Sequence, residues 1–308
     1  MSKFLYFLNY KIEEKALCQF EMKYLFQVNI EHKYFFSDLD IAVSRSVFIK
    51  SKIEILEVSD NYQDLLKTLD GKYQIDNYKV VFINHEKLSF NYRQRLKMAS
   101  EIGYTIIGDF NMHDPSNYVG VTKIANKYYV GILNQSDTSW QKHRDKPENF
   151  SSSLSIRVAR SVINIAVGNN MQTRVIDPCC GMGTVLLEAL ALGINIEGSD
   201  LSYLNVASTK KNLAYYHYNC QVQQKNIVDI TKHYDVAIID LPYGLAMVTD
   251  QMSQNLILEN AYRISDVLVL IVNNCRKQQL LALGYKIVDE TYVIKQQFKR
   301  YIYYCKKA

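Results

Sequence analysis

Three apolar, strand-like segments in the second half of the chain each end in an aspartate. They are residues 174–177, 195–200 and 235–240, closing on Asp177, Asp200 and Asp240. Helix-like segments at 184–192 and 204–217 fall between them. Strands alternating with helices of this length leave few solutions, chiefly a parallel sheet covered on both faces. The carboxyl ends of such strands lie along one edge of the sheet, where open α/β folds bind their ligands. The three aspartates are thus expected along one edge.

The rest of that half continues the rhythm. Strands are expected at 221–226, 267–273, 286–294 and 301–305, with helices at 154–167, 252–263 and 276–283. The last two strands, joined by QQFKR, read as an antiparallel hairpin that closes the mainly parallel sheet. The first half has a different, α+β pattern. Strands are expected at 4–9, 46–58, 78–84, 104–109, 118–124 and 127–133, with Ala125–Asn126 as a tight turn. Helices are expected at 12–26, at 61–69 behind an Asp60 or Asn61 cap, and at 91–102, ended by Gly103. The polar stretch 134–153 holds the only Trp and reads as a linker. The expected division is a module at 1–134, a linker at 135–153 and a second domain at 154–308. A length of 308 residues fits two domains.

The turn after the first strand reads Asp177-Pro178-Cys179-Cys180-Gly181-Met182-Gly183-Thr184. Gly181 and Gly183 permit a tight turn and close approach of backbone to a ligand. The dinucleotide fingerprint needs a third glycine where Leu186 stands, and the phosphate-binding loop needs a lysine that is missing. A nucleoside cofactor without a pyrophosphate remains. Asp200 is placed to accept from ribose hydroxyls, Asp229 to meet an adenine amine, and Ile227 to pack on the ring. Cys179, Thr184 and Leu201 complete the candidate lining. S-adenosylmethionine fits, since Asp177 can balance its positive charge.

Asp240-Leu241-Pro242-Tyr243-Gly244 follows the strand that ends at residue 240. An exocyclic amine on a base is conjugated into its ring and is a poor nucleophile. Asp240 and the Leu241 carbonyl can accept its two hydrogens and so orient its lone pair. Pro242 stiffens the turn, and Tyr243 offers a flat face for stacking. An amino-methyltransferase is the reaction class this pattern implies.

DPCCGMGT-VLLEA, GSD and DLPYG resemble the THUMP-containing RNA methyltransferases that form N2-methylguanosine in tRNA. SSLSIRVARSVINIA resembles that family's approach helix, WQKHRDKPENF its basic linker and FKRYIYYCKK its closing hairpin. The resemblance covers 135–308 closely and 1–134 more loosely. It implies a Rossmann-like domain that uses S-adenosylmethionine, and an N-terminal RNA-binding module with a ferredoxin-like piece and a reduced THUMP-like domain. It implies tRNA as substrate, a helix near Ser153–Ser155 that helps close the cofactor pocket and, in some relatives, a small activating subunit. The first proline of the usual Pro-Pro catalytic motif is replaced here by Leu241. Amine methylation of adenine N6 or of rRNA guanine stays open beside it, as does an inactive fold that binds RNA.

Charge says where RNA would be held. The net charge is +5, with 20 basic and 19 acidic residues in 1–150 and 16 and 12 beyond. Local patches must therefore serve any RNA in the first half. Arg93 and Arg95 there, Lys142, Arg144 and Lys146 in the linker, and Lys299 and Arg300 near the end are candidate phosphate contacts, or solvated surface. The six cysteines form no CxxC pair and the histidines show no metal spacing, so neither disulfides nor a metal is expected. Vicinal Cys179 and Cys180 read as packing. No apolar run reaches membrane-spanning length, and a cytoplasmic protein is expected.

Overall fold

The computed structural model describes residues 3–85, 90–150, 153–241, 251–295 and 298–308. Its elements in chain order begin with β1 (Phe4–Leu8), α1 (Lys15–Phe26), β2 (Tyr34–Ser37), β3 (Ile49–Ser59) and α2 (Tyr62–Leu69). There follow β4 (Tyr78–Phe82), α3 (Tyr92–Thr105), β5 (Asn117–Ile124), β6 (Lys127–Gln135) and α4 (Ile156–Val167). Next come β7 (Val175–Asp177), α5 (Thr184–Ala191), β8 (Ile196–Asp200), α6 (Tyr203–Tyr215) and β9 (Val222–Gln224). The chain closes with β10 (Tyr234–Asp240), α7 (Gln251–Ile264), β11 (Ser265–Val272), α8 (Lys277–Ala282), β12 (Tyr285–Lys295) and β13 (Phe298–Lys307).

The chain divides into two units. The first comprises 1–9, 30–44 and 48–137, and its six strands run in the order β2-β1-β3-β6-β5-β4. All neighbours are antiparallel except β4 and β5. Helices α2 and α3 place Leu65, Leu69 and Ile102 in a core with Tyr78, Val119 and Val130. Asn61 caps α2, its side chain accepting from the amides of Gln63 and Asp64.

Two expectations fail in this unit. The strand expected at 104–109 is absent, because α3 runs through Gly103 to Thr105. Its buried residues Met98 and Ile102 keep helical spacing, and 107 and 110 form only isolated bridges. Strand β2 is the second surprise, since four residues between polar flanks carry too little periodicity to signal it.

The second unit comprises 10–29, 45–47 and 138–308. Its strand order is β12-β13-β11-β10-β7-β8-β9. β11, β10, β7, β8 and β9 are mutually parallel, and β13 and β12 close the sheet antiparallel. This is a Rossmann-like sheet, as expected. β10 and β11 read YDVAIID and SDVLVLIV and are buried almost throughout, the signature of strands covered on both faces. No helix among the described residues is long and apolar enough to cross a membrane.

Residues 10–29 and 45–47 lie with this second unit rather than with the rest of 1–134. Glu21 of α1 is fully buried and accepts from Ser161 Oγ and Asn164 Nδ2 of α4, each at 2.6 Å. A buried carboxylate needs such partners, which ties α1 to α4. The stretch expected as a linker is also built in, for Trp140, His143 and Lys146 are buried.

Candidate active site

At the carboxyl edge of the second sheet lies a cavity of about 770 Å³. Asp177 ends β7, Asp200 ends β8 and Asp240 ends β10, and all three line it. The period of the parallel sheet brings them together, as the sequence implied.

The glycine loop between β7 and α5 forms the floor. Gly181 and Gly183 have φ of +53° and +74°, values that side chains rarely adopt. A Cβ on Gly183 would sit 2.6 Å from Thr209 Cγ2, whereas one on Gly181 would meet nothing within 4 Å. Gly183 is therefore required for packing against α6, and Gly181 for backbone conformation. Helix α6 holds the loop by side-chain bonds. Thr209 Oγ1 donates to the Gly181 carbonyl at 2.7 Å, and Asn212 Nδ2 to the Met182 carbonyl at 2.9 Å.

Asp200 braces the same loop. Its Oδ2 accepts from the Gly181 amide at 2.9 Å; its Oδ1 accepts from the Ser202 amide at 2.9 Å and from Asn205 Nδ2 at 3.0 Å. A carboxylate offers about four acceptor positions, so roughly one remains for a ligand. Asp177 is buried and its Oδ1 accepts from the Cys179 amide at 3.2 Å. Burial pushes its carboxyl well above the usual range, and the negative neighbours Asp200 and Asp240 push the same way. Burial likewise pushes the Cys179 and Cys180 thiols up, leaving them protonated and unreactive.

Asp240 is pushed up to about 7 by burial, opposed by the Arg300 guanidinium. Its Oδ1 is shut off from solvent and has no hydrogen-bond partner among the described residues. The Leu241 amide donates to the Ile271 carbonyl at 3.1 Å, which fixes the backbone just beyond Asp240. Pro242 and Tyr243 lie outside the described residues.

The remaining candidates divide. Cys179, Gly181, Thr184, Leu201 and Ile227 line the cavity. Asp229 does not. The short turn Ile227–Asp229, capped by Asn226, buries Ile227 and leaves Asp229 exposed, so Asn226 and Lys225 line the wall instead. Ser153 and Leu154 line the cavity, while Ser155 caps α4 by accepting from the Val158 amide. Sequence reasoning missed Asn205, whose place one turn into α6 behind Ser202 was the available signal.

Among the candidate phosphate contacts, Arg93, Lys142, Arg144 and Lys299 are exposed, and Arg95 is half-buried. Two others are displaced from that role. Lys146 is 6% exposed, and its ammonium donates to Thr184 Oγ1 at 2.7 Å. Burial lowers its pKa to about 8. A lysine so enclosed cannot reach a phosphate. Arg300 is largely buried beside Asp240. Behind the loop, Glu188 is fully buried between His143 Nδ1 and Arg160 Nη1, each 2.6 Å away.

The comparisons with known proteins agree with this architecture. Residues 144–270 match the UPF0020 family, RMKL-like, methyltransferase domain. The chain is 24% identical over 322 residues to the tRNA (guanine(10)-N2)-dimethyltransferase of Pyrococcus abyssi, covering 94% of each. It is 26% identical over 123 residues to the enzyme of that name from Methanothermobacter thermautotrophicus, covering 39% of this chain and 36% of that protein. The fold resembles the solved structure of SMU.472 in complex with SAH, with a TM-score of 0.50 and 13% identity over 100% of this chain and 99% of that one. The cavity suits the cofactor these matches imply: its three carboxylates favour a cationic ligand, and one of them keeps an unpartnered buried oxygen among the described residues. Residues 144–270 form a methyltransferase domain, and the lining of its cavity fits S-adenosylmethionine.

Proposed function

We propose that the chain methylates the exocyclic N2 amine of a guanosine in tRNA. The observation that carries this reading is Asp240: a carboxylate at the sheet edge, lining the cavity, with a buried oxygen that has no partner among the described residues. Burying an acceptor unpaired costs about 1–3 kcal/mol, which a substrate N–H would recover. The tRNA (guanine(10)-N2)-dimethyltransferase relatives supply the substrate class.

When bound, S-adenosylmethionine supplies a methyl group made electrophilic by its sulfonium. Asp200 would take one ribose hydroxyl at its remaining acceptor position, Ile227 would pack on the adenine, and Asp177 would balance positive charge. Asp240 and the Leu241 carbonyl would accept the two hydrogens of the guanine amine, localising its lone pair. With the carbon–sulfur bond broken and sulfur leaving as a neutral thioether, the proton of the methylated nitrogen would pass to Asp240 or water. Tyr243 would stack on the extruded base, as its place after Asp240 suggests. The first unit would bind RNA as a THUMP-like module, with Arg93 on α3 among its contacts, and Lys142 and Arg144 would meet phosphates beside the site. β12, at the sheet edge, is the strand where a small activating subunit would add. Such an enzyme acts in the cytoplasm.

The test is mass spectrometry of nucleosides from unmodified tRNA incubated with the protein and S-adenosylmethionine. N2-methylguanosine or its dimethyl form is the expected product. N6-methyladenosine, or methylation of rRNA alone, would replace this reading.

A further inference from the structure

Lys299 and Arg300 are adjacent in sequence and differ in role. Neighbouring residues on a strand face opposite sides of the sheet. Lys299 is exposed, its ammonium 3.9 Å from the Tyr292 ring centroid and 4.7 Å from that of Tyr301. Arg300 has a side chain only 13% exposed, with Nη1 4.0 Å from Asp240 Oδ2. β13 thus delivers a cation to the carboxyl edge from the side opposite the cofactor loop.

The charged groups around Asp240 make that cation consequential. Asp177 on β7 and Asp200 on β8 line the same cavity, and so does Lys225 beyond β9. Burial, and after it the three aspartates, push the Cys179 thiol up, away from the charged form. Ser253, Leu256 and Ile257, which α7 contributes to the lining, carry no charge. Burial raises the proton affinity of both Asp177 and Asp240, and at Asp240 the Arg300 guanidinium opposes it. A protonated Asp240 would present a hydroxyl donor toward an incoming amine, donor against donor.

We propose that Arg300 is a positioning residue for Asp240: it pairs with Oδ2, opposes protonation of the carboxylate and leaves Oδ1 to accept the substrate amine. The inference deepens the reading of Asp240 given above and rests on it for the catalytic consequence. The pairing itself can be tested without substrate.

The experiment follows the Asp240 carboxyl carbon by NMR in protein labelled with ¹³C-aspartate, its resonance identified by its loss in Asp240→Asn. In Arg300→Gln and Arg300→Met the titration midpoint should rise by about one unit or more, a tenfold change in proton affinity. In Arg300→Lys it should stay within about half a unit of wild type. An unchanged midpoint in either neutral variant overturns the proposal. Methyl transfer supplies the second readout. Arg300→Gln should lose at least tenfold at pH 6 and recover toward wild type by pH 9, with Arg300→Lys nearer wild type. A higher KM for tRNA at every pH, with no shift of the acidic limb, would mean a phosphate contact instead and also overturns it. Full transfer by Asp240→Ala would sink the catalytic reading separately, leaving the NMR result to judge the pairing alone.

Discussion

Two sets of buried acids lie in the second unit and are handled in opposite ways. Glu188 is enclosed completely, yet His143 and Arg160 each meet one of its oxygens at 2.6 Å. Asp240 is largely enclosed too, but it keeps one oxygen without a partner among the described residues and a guanidinium only at 4.0 Å. Asp177 has one backbone donor, at 3.2 Å, among the described residues. A buried acid met by a close partner at each oxygen is held in place, which suits a structural joint. Leaving it under-paired stores the capacity to accept a ligand's hydrogen or balance its charge, which suits a site. Glu188 joins the 138–146 segment, α4 and α5 into one body, and the aspartates face the cavity beside that body.

Removing the joint should have the largest effect on stability. Glu188→Ala leaves Arg160 and His143 buried without their anion and should cost about 3–5 kcal/mol, read by urea unfolding. A change below about 1 kcal/mol would mean that the joint is not structural.

Removing the site's charge should do the reverse. In Asp240→Asn the native state no longer carries a carboxylate whose pKa is pushed from 3.8 to about 7. Below about pH 4 that carboxyl is protonated folded and unfolded, and the substitution should change little. Above about pH 7 it is ionised in both states and the wild type bears the full penalty. The variant should therefore gain roughly 2–4 kcal/mol there, with the gain developing between about pH 4 and 7. Thermal unfolding at pH 4 and pH 8 checks this. A loss of stability at pH 8 would place Asp240 with Glu188.

The linker basics give the smallest and finest test. Lys142 and Arg144 are exposed and Lys146 is buried. Replacing either of the first two by Ala should reduce the salt dependence of tRNA binding by about one counterion, and Lys146→Met should leave it unchanged. An equal effect of all three would show that the buried lysine reaches RNA after all.

Periodicity decides how much of this architecture is legible in the sequence. The second sheet is legible because β10 and β11 are nearly unbroken apolar runs, strands and helices alternate, and the glycine loop has its own spacing. The aspartates can be placed on one edge for the same reason. Partner choice is not legible. WQKHRDK looks uniformly basic, yet a 3-10 turn from Ser139 to Asp145 buries His143 while Lys142 and Arg144 stay outside. Glu188 stands in α5 just beyond the glycine loop, and only the fold shows Arg160 opposite it, 28 residues away. The sequence misplaces Asp229 because a single short turn decides which of residues 227–229 faces the cavity. Helix α3 outruns the stop that Gly103 suggests, because the buried face at Met98 and Ile102 overrides it.

The contrast between joint and site comes down to one assay on the Asp240→Ala variant. Single-turnover methyl transfer to unmodified tRNA should fall by at least about a thousandfold, as loss of a positioned proton acceptor and orienting group implies. S-adenosylmethionine binding by calorimetry should persist, and unfolding should be no easier than in wild type. Transfer at wild-type rates, or a variant that loses its fold in place of its activity, would contradict the account.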